Sequence, residues 1–286
     1  MKKQMRALSL LLCITLAFPL QAQQFVFGYS LGKANYQMGD MKSLMENDVK
    51  NLVKTINDYY QTDLQYKNTE NFPNGLFHDA YAGVQFSLHE IGLQYNYLTT
   101  GGRNHLADYS GELRKDIVFS GDALGLYYKY RFLSIPLSGN FRFSAYAGVA
   151  TGAIFNHGNS DYFIDLYNPQ NPSYGNIIRY DEGEFEKIDE SYGLSSTNWY
   201  VQPNIGLQFW LKNTISLNIN AGYLFDSPGK IRTADENTTN SSVIYIPGYG
   251  TTVSTYSYPG REYDFGVSWS GLRLSVGIGF AFSVIK

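Results

Sequence analysis

The residues with chemistry in reach are four histidines, one acidic run and twenty-five tyrosines. His157, Ser160 and Asp161 place a base, a hydroxyl and a carboxylate within five positions, the groups that acyl transfer uses. They sit among Asn156, Gly158 and Asn159, so the stretch also reads as a turn at the start of a loop, where nothing fixes the His-to-Ser distance. The turn is the preferred reading. His78, His89 and His105 are scattered and lack metal-ligand spacing. Asp181-Glu182-Gly183-Glu184-Phe185-Glu186-Lys187-Ile188-Asp189-Glu190 gathers oxygen ligands that a hard cation favours, but without the calcium-loop spacing. It reads as a solvated acidic loop. The expectation is therefore no catalytic set, no metal and no cofactor.

Composition narrows the class. Lys2, Lys3 and Arg6 precede an apolar run from Leu8 to Leu20, and Ala22 offers a cleavage point, so residues 1–22 read as a signal peptide and 23–286 as one domain. The only cysteine, Cys13, falls inside that leader, which leaves the mature chain without a disulfide or thiol. Removing the three basic residues leaves 19 Lys+Arg against 25 Asp+Glu, a balance that argues against nucleic acid as a partner. Charged residues are only 16%, below the roughly 25% of soluble domains, while aromatics also reach 16%. No run of about 18 apolar residues follows Ala22, so a membrane-spanning helix is absent from the reading. A secreted, charge-poor, aromatic-rich chain without such a helix suits a closed barrel.

Period-two alternation recurs eight times, at about 25–36, 78–88, 91–99, 118–132, 140–155, 199–211, 214–226 and 272–284. Leu272, Leu274, Val276, Ile278, Phe280, Phe282 and Val284 form one face of the last segment. Gly277, Gly279 and Ala281 lie on the other. Thirteen residues exceed the roughly 9–11 that a tilted strand needs to cross a bilayer. Short connections at His89-Glu90, 132–140 and Lys212-Asn213 alternate with long ones at 37–77, 100–117, 156–198 and 227–269. That rhythm belongs to an outer-membrane barrel with both termini periplasmic and its long loops extracellular. The glycine-rich, charge-poor face suits a narrow interior, and the Phe, Tyr and Leu face suits lipid. Pro203 marks a bulge or kink. From Asp40 to Tyr60 the period turns helical, an amphipathic helix in the first extracellular loop that reads as a lid on the rim or mouth. Residues 243–246 and 251–258 read as a hairpin beyond the membrane, too short to span.

The inward phase collects Asp79, Lys129, Arg131, Arg142, Asp226 and Arg273 with Gln85, Gln94, Asn204, Gln208, Asn218 and Asn220. Buried charge is tolerated when paired and hydrogen-bonded, so a salt-bridged plug is expected. The loop tyrosines Tyr162, Tyr167, Tyr174, Tyr245, Tyr249, Tyr256 and Tyr258 are candidate contacts for an extracellular ligand, or they pack the loops on themselves.

Leader, eight spanning segments, short-turn and long-loop alternation and an apolar last strand together resemble the small outer-membrane barrel family that includes OmpX and the N-terminal barrel of OmpA. The resemblance implies an all-β fold, an eight-stranded antiparallel transmembrane β-barrel with long extracellular loops. It also implies contact with outer-membrane lipid and with the barrel-assembly machinery, which reads a terminal aromatic residue; here Phe282 lies four residues before the end. Family roles range over envelope structure, adhesion and defence, with other envelope proteins as further partners, and carry no shared catalytic set. Lipid A deacylases with a His-x-Ser-Asn pattern differ from His157-Gly158-Asn159-Ser160 in spacing and order. The reading is a non-catalytic surface-interaction barrel, with a narrow channel second and an enzyme on outer-leaflet lipid third.

Overall fold

The computed structural model describes residues 23–43, 45–47, 50, 54, 67–108, 111–167, 185–233, 239–246, 250–257 and 262–283. Eight strands close into a ring. They are β1 (Gln23–Tyr36), β3 (Gly75–Phe86), β4 (His89–Asp108), β5 (Gly111–Pro136), β6 (Phe141–Tyr167), β7 (Phe185–Leu211), β8 (Ile215–Ser227) and β13 (Gly271–Ser283). Each pairs antiparallel with the next, β8 pairs β13, and β13 returns to β1. Closure leaves no sheet edge to face hydrocarbon, the condition for a strand to span a membrane.

Three tight connections share one end with both strand termini, since Gln23 lies opposite Phe86 and Gln24 opposite Ser283. The first turn is Ser87-Leu88, with Ser87 at φ 55°; it sits two residues before the expected His89-Glu90, which already belong to β4. At the third, Lys212 and Asn213 both have positive φ and the Thr214 amide donates to the Leu211 carbonyl, a type I′ turn whose twist matches the strands.

Outside the ring, apolar side chains lie bare: Leu93 is 58% exposed, Ile205 62% and Trp199 70%. Phe27 stacks on Phe280 and Phe282, and Phe143 meets Phe209 at a tilt, ring centroids 5.2 Å apart. Such a surface in water would collapse onto itself or another chain. Around a closed barrel it is a lipid-facing belt, so the fold is a transmembrane β-barrel of outer-membrane type.

The strands are unequal. β1, β3, β8 and β13 have 12–14 residues, whereas β6 and β7 each have 27. At about 3.3 Å per residue and a 45° tilt, 27 residues rise roughly 60 Å, about twice the hydrocarbon thickness. Expected loop segments are therefore strand: 100–108 pairs directly with 111–119, and 156–167 with 185–196. Alternation is weaker there, so the sequence marks only the middle of each tall strand. The helix expected at about 40–60 is present where described, at 40–43, 45–47, 50 and 54; Leu44, Val49, Leu52, Val53, Ile56 and Tyr60 lie outside the described residues.

Further strands β2 (Lys67–Asn71), β9 (Lys230–Thr233) and β12 (Glu262–Gly266) join the long-loop end. There the hairpin β10 (Thr239–Ile246) and β11 (Gly250–Ser257) attaches to β7 rather than entering the ring. Pro203 causes no shift in register; the β7–β8 ladder skips Gln202 and Pro203 and resumes in phase at Asn204. Among the described residues of the eight-strand ring, the register shifts between Arg131 and Leu133 of β5.

Candidate functional site: the filled lumen and its outer cap

Inward-facing glycine and tyrosine pack as partners. Tyr146 lies over Gly206, where an added Cβ would sit 2.4 Å from its ring, and Tyr200 covers Gly125 at the same distance. Tyr81 and Tyr127 likewise cover glycines 28 and 83. Large rings thus fit a narrow ring of strands by lying over glycines of the paired strand, as at Gly28 and Gly206, or of the strand beyond it, as at Gly83 and Gly125.

These rings build the centre. Lys129 Nζ is 2.9 Å from Glu90 Oε1 and lies 3.8, 4.6 and 5.4 Å from the ring centroids of Tyr81, Tyr127 and Tyr146. Tyr127 donates to the same Glu90 oxygen at 2.9 Å. An ammonium held by one carboxylate and three aromatic faces has exchanged its water shell for fixed partners. Beside it, Gln94 donates to Asp79 Oδ2 at 3.0 Å, and Arg273 donates to Gln202 Oε1 at 2.7 Å and Asn96 Oδ1 at 2.8 Å. The Arg273 guanidinium also lies 3.8 Å from the Phe77 ring. Tyr146 bonds Asn220, and Asn218 donates to the Tyr81 hydroxyl at 3.1 Å. The space left among these groups is about 30 Å³, room for a water or two.

At the short-turn end, Arg131 donates to Gln85 Oε1 at 2.9 Å, and Trp210 lies beneath both Arg131 and Arg142. At the opposite mouth, Asp226 accepts from Asn198 Nδ2 at 2.6 Å, Ser268 Oγ at 2.8 Å, the Trp269 amide at 3.0 Å and the Ser270 hydroxyl. Trp269 Nε1 donates to Asn156 Oδ1 at 2.6 Å, and Asn156 donates on to Asn198. A carboxylate with four donors needs no cation beside it. The expected single plug is thus divided into three levels, and the interior ion pair described is Lys129–Glu90.

Over this mouth lies an apolar core. Met38, Met41 and Met45 are buried with Tyr36, Phe72, Leu98, Phe119, Ile154 and Trp269. The Tyr36 and Trp269 rings meet edge-on at 4.8 Å. Asn104 bonds the Met45 carbonyl, and the Gln37 and Met38 amides donate to the Ser270 and Ser268 carbonyls. The start of the helical segment therefore covers the lumen, and the tall strands supply the wall it rests on.

His157, Ser160 and Asp161 do not converge. They lie along strand β6, where alternation turns Ser160 to the opposite face from the other two. His157 Nε2 is instead 3.9 Å from Asp122 on the outer surface, where Asp122 also accepts from the Tyr95 hydroxyl. Among the described residues no cluster of His, Cys, Asp and Glu could hold a metal ion. Tyr174, Tyr249 and Tyr258 lie outside the described residues; Tyr162, Tyr167, Tyr245 and Tyr256 are described only as strand backbone. The acidic run is outside them at 181–184 and enters β7 at Phe185.

Sequence reasoning missed Glu90, assigned to a turn, although it shares parity with Gly92, Gln94 and Asn96. It also missed the mouth residues Asn156, Asn198 and Trp269, which carry no local signal because their partners are 28 to 113 positions away.

No family model matches the chain, and no curated protein does. Two crystal structures of Ail, the attachment invasion locus protein of Yersinia pestis, one in complex with the heparin analogue sucrose octasulfate, align over 91% of this chain. They cover 99% and 98% of their own chains, at 11% identity and a TM-score of 0.29. At that score the likeness carries no weight; the ring rests on the strand pairing above.

Proposed function

We propose that the chain, with 1–22 as signal peptide, is a non-catalytic integral outer-membrane protein that presents a surface for interaction. Both termini and the three tight turns face the periplasm, and the tall strands face outward. The observation that carries this reading is the height of β4 to β7 above a filled lumen. About half of each 27-residue strand stands beyond hydrocarbon, and on that side the β10–β11 hairpin joins it. A wall of that size is not needed to anchor a barrel in lipid. Its physical use is to hold loops at a fixed distance from the membrane, where Tyr-rich segments meet an extracellular ligand or a neighbouring envelope protein.

The cysteine-free mature chain allows a direct test of orientation. Asn159→Cys in the tall wall is expected to react with a membrane-impermeant maleimide on intact cells, and Ser138→Cys in the second turn only after permeabilisation. The reverse pattern would refute the topology. For the role, cross-linking on intact cells is expected to yield a discrete partner that disappears when residues 239–257 are replaced by a short turn. The filled lumen favours this reading over a conduit, and stable single-channel steps in a planar bilayer would overturn it.

A further inference from the structure

The short-turn end of the lumen gathers two arginines that form no ion pair among the described residues; Glu90 is near enough to attract Arg131 but is paired with Lys129. Arg131 of β5 and Arg142 of β6 face inward next to the 137–140 turn, their guanidinium carbons 5.8 and 5.1 Å from the Trp210 ring centroid. The two cations therefore lie within about 11 Å of each other. Arg131 Nη2 donates to the neutral amides of Gln85 and Gln208 at 2.9 and 3.5 Å. Arg131 Nε, Arg142 Nε and Nη2, Trp210 Nε1 and Ser144 Oγ are all buried without a hydrogen-bond partner. Four of these five atoms are obligate donors. The carboxylates further up the lumen are engaged elsewhere: Glu90 with Lys129 and Tyr127, and Asp79 with Gln94.

We propose that this mouth is a binding site for a small oxyanion of the phosphate class. Two guanidiniums share one indole and keep unbonded N–H groups, Arg131 Nε and Arg142 Nε and Nη2, the donors that phosphate oxygens accept. Trp210 Nε1 and Ser144 Oγ add donors of different direction, which several oxygens on one centre satisfy together and a spherical ion cannot. Water satisfies donors but supplies no counter-charge to a buried Arg131 and a half-buried Arg142. The lining groups face the lumen, where lipid tails do not reach. The source is therefore a free phosphate or phosphate monoester entering from the short-turn side. This site is independent of the proposed surface role.

The test uses the folded, detergent-solubilised barrel and inorganic phosphate followed by phosphorus NMR, with ionic strength held by sodium chloride. Saturable broadening of the phosphate line is expected. Arg142→Gln should weaken it about tenfold or more while heat-modifiability on gels stays that of a folded barrel. Should that variant not refold, Trp210→Phe keeps the aromatic shelf, removes one donor and should weaken binding several-fold. A parallel titration with dihexanoyl phosphatidic acid separates the sources. Binding of that lipid alone keeps the anion site and assigns it to a headgroup, whereas binding of inorganic phosphate assigns it to the free ion. Absence of saturable binding by either probe, or equal binding by the folded variants, overturns the proposal.

Discussion

Replacing Lys129 by methionine strikes the centre of the lumen. The change removes an ion pair at 2.9 Å between side chains that are 13% and 5% exposed, and it removes three ring contacts. It strands the Glu90 carboxylate with the Tyr127 hydroxyl as its remaining bonded neighbour. Breaking a buried pair from one side costs about 3–5 kcal/mol. The nearest cation–π contacts add about 1–2 kcal/mol, part of which methionine regains by packing on the same rings. The expected loss is about 4–6 kcal/mol. Glu90→Gln is milder, about 2–4 kcal/mol, because the amide oxygen still accepts from Tyr127 and the rings still face the ammonium. The double variant removes both charges and is expected to lie within about 2 kcal/mol of the wild type, since a pair replaced by neutral groups of similar size leaves no orphan. The coupling should then be about 3 kcal/mol or more. Urea unfolding from lipid vesicles, read by the fluorescence of Trp199, Trp210 and Trp269, measures all four proteins. A coupling below about 0.5 kcal/mol would mean that the two residues act independently, and the caged pair would have to be abandoned.

Other perturbations separate the two faces and the turns. Leu93→Arg, in the middle of the lipid belt, is expected to cost about 2–4 kcal/mol in vesicles, whereas a water-facing position would change by about 0.5 kcal/mol or less; the smaller value would put that face in water. Gly206→Val drives side-chain atoms into Tyr146 and should lower stability by about 1–3 kcal/mol or prevent refolding, seen as loss of heat-modifiability. Gly139→Ala meets no atom within 4 Å yet sits at φ 56°, so the same gel assay should show a folded barrel weakened by only about 1 kcal/mol. Converting Lys212-Asn213 to Asn-Gly relieves two left-handed residues and is expected to stabilise by about 0.5–1 kcal/mol in the urea assay. A destabilising result there would contradict the type I′ assignment.

The ring was legible in the chain because membrane spanning imposes strict alternation: Leu272 to Phe282 outward and Arg273 to Ala281 inward follow from a period of two, and hydrocarbon punishes any exception. Turn positions were legible to within two residues, as at Ser87-Leu88, since polar residues close hairpins on either side of a strand end. Glu90 was lost to that two-residue shift. Beyond the membrane the constraint relaxes, because both faces meet water or protein, and the extended β6 and β7 looked like loops. Which inward residues meet was never local information. Lys129 reaches Glu90 from 39 positions away and Trp269 reaches Asn156 from 113, contacts set by strand register, tilt and closure of the barrel. Within the membrane-spanning stretches, sequence alone determined which face of each strand points inward. The tertiary structure decided how the inward residues divide into a caged centre, a latched outer mouth and a basic end, because only the closed ring fixes which strand stands opposite which.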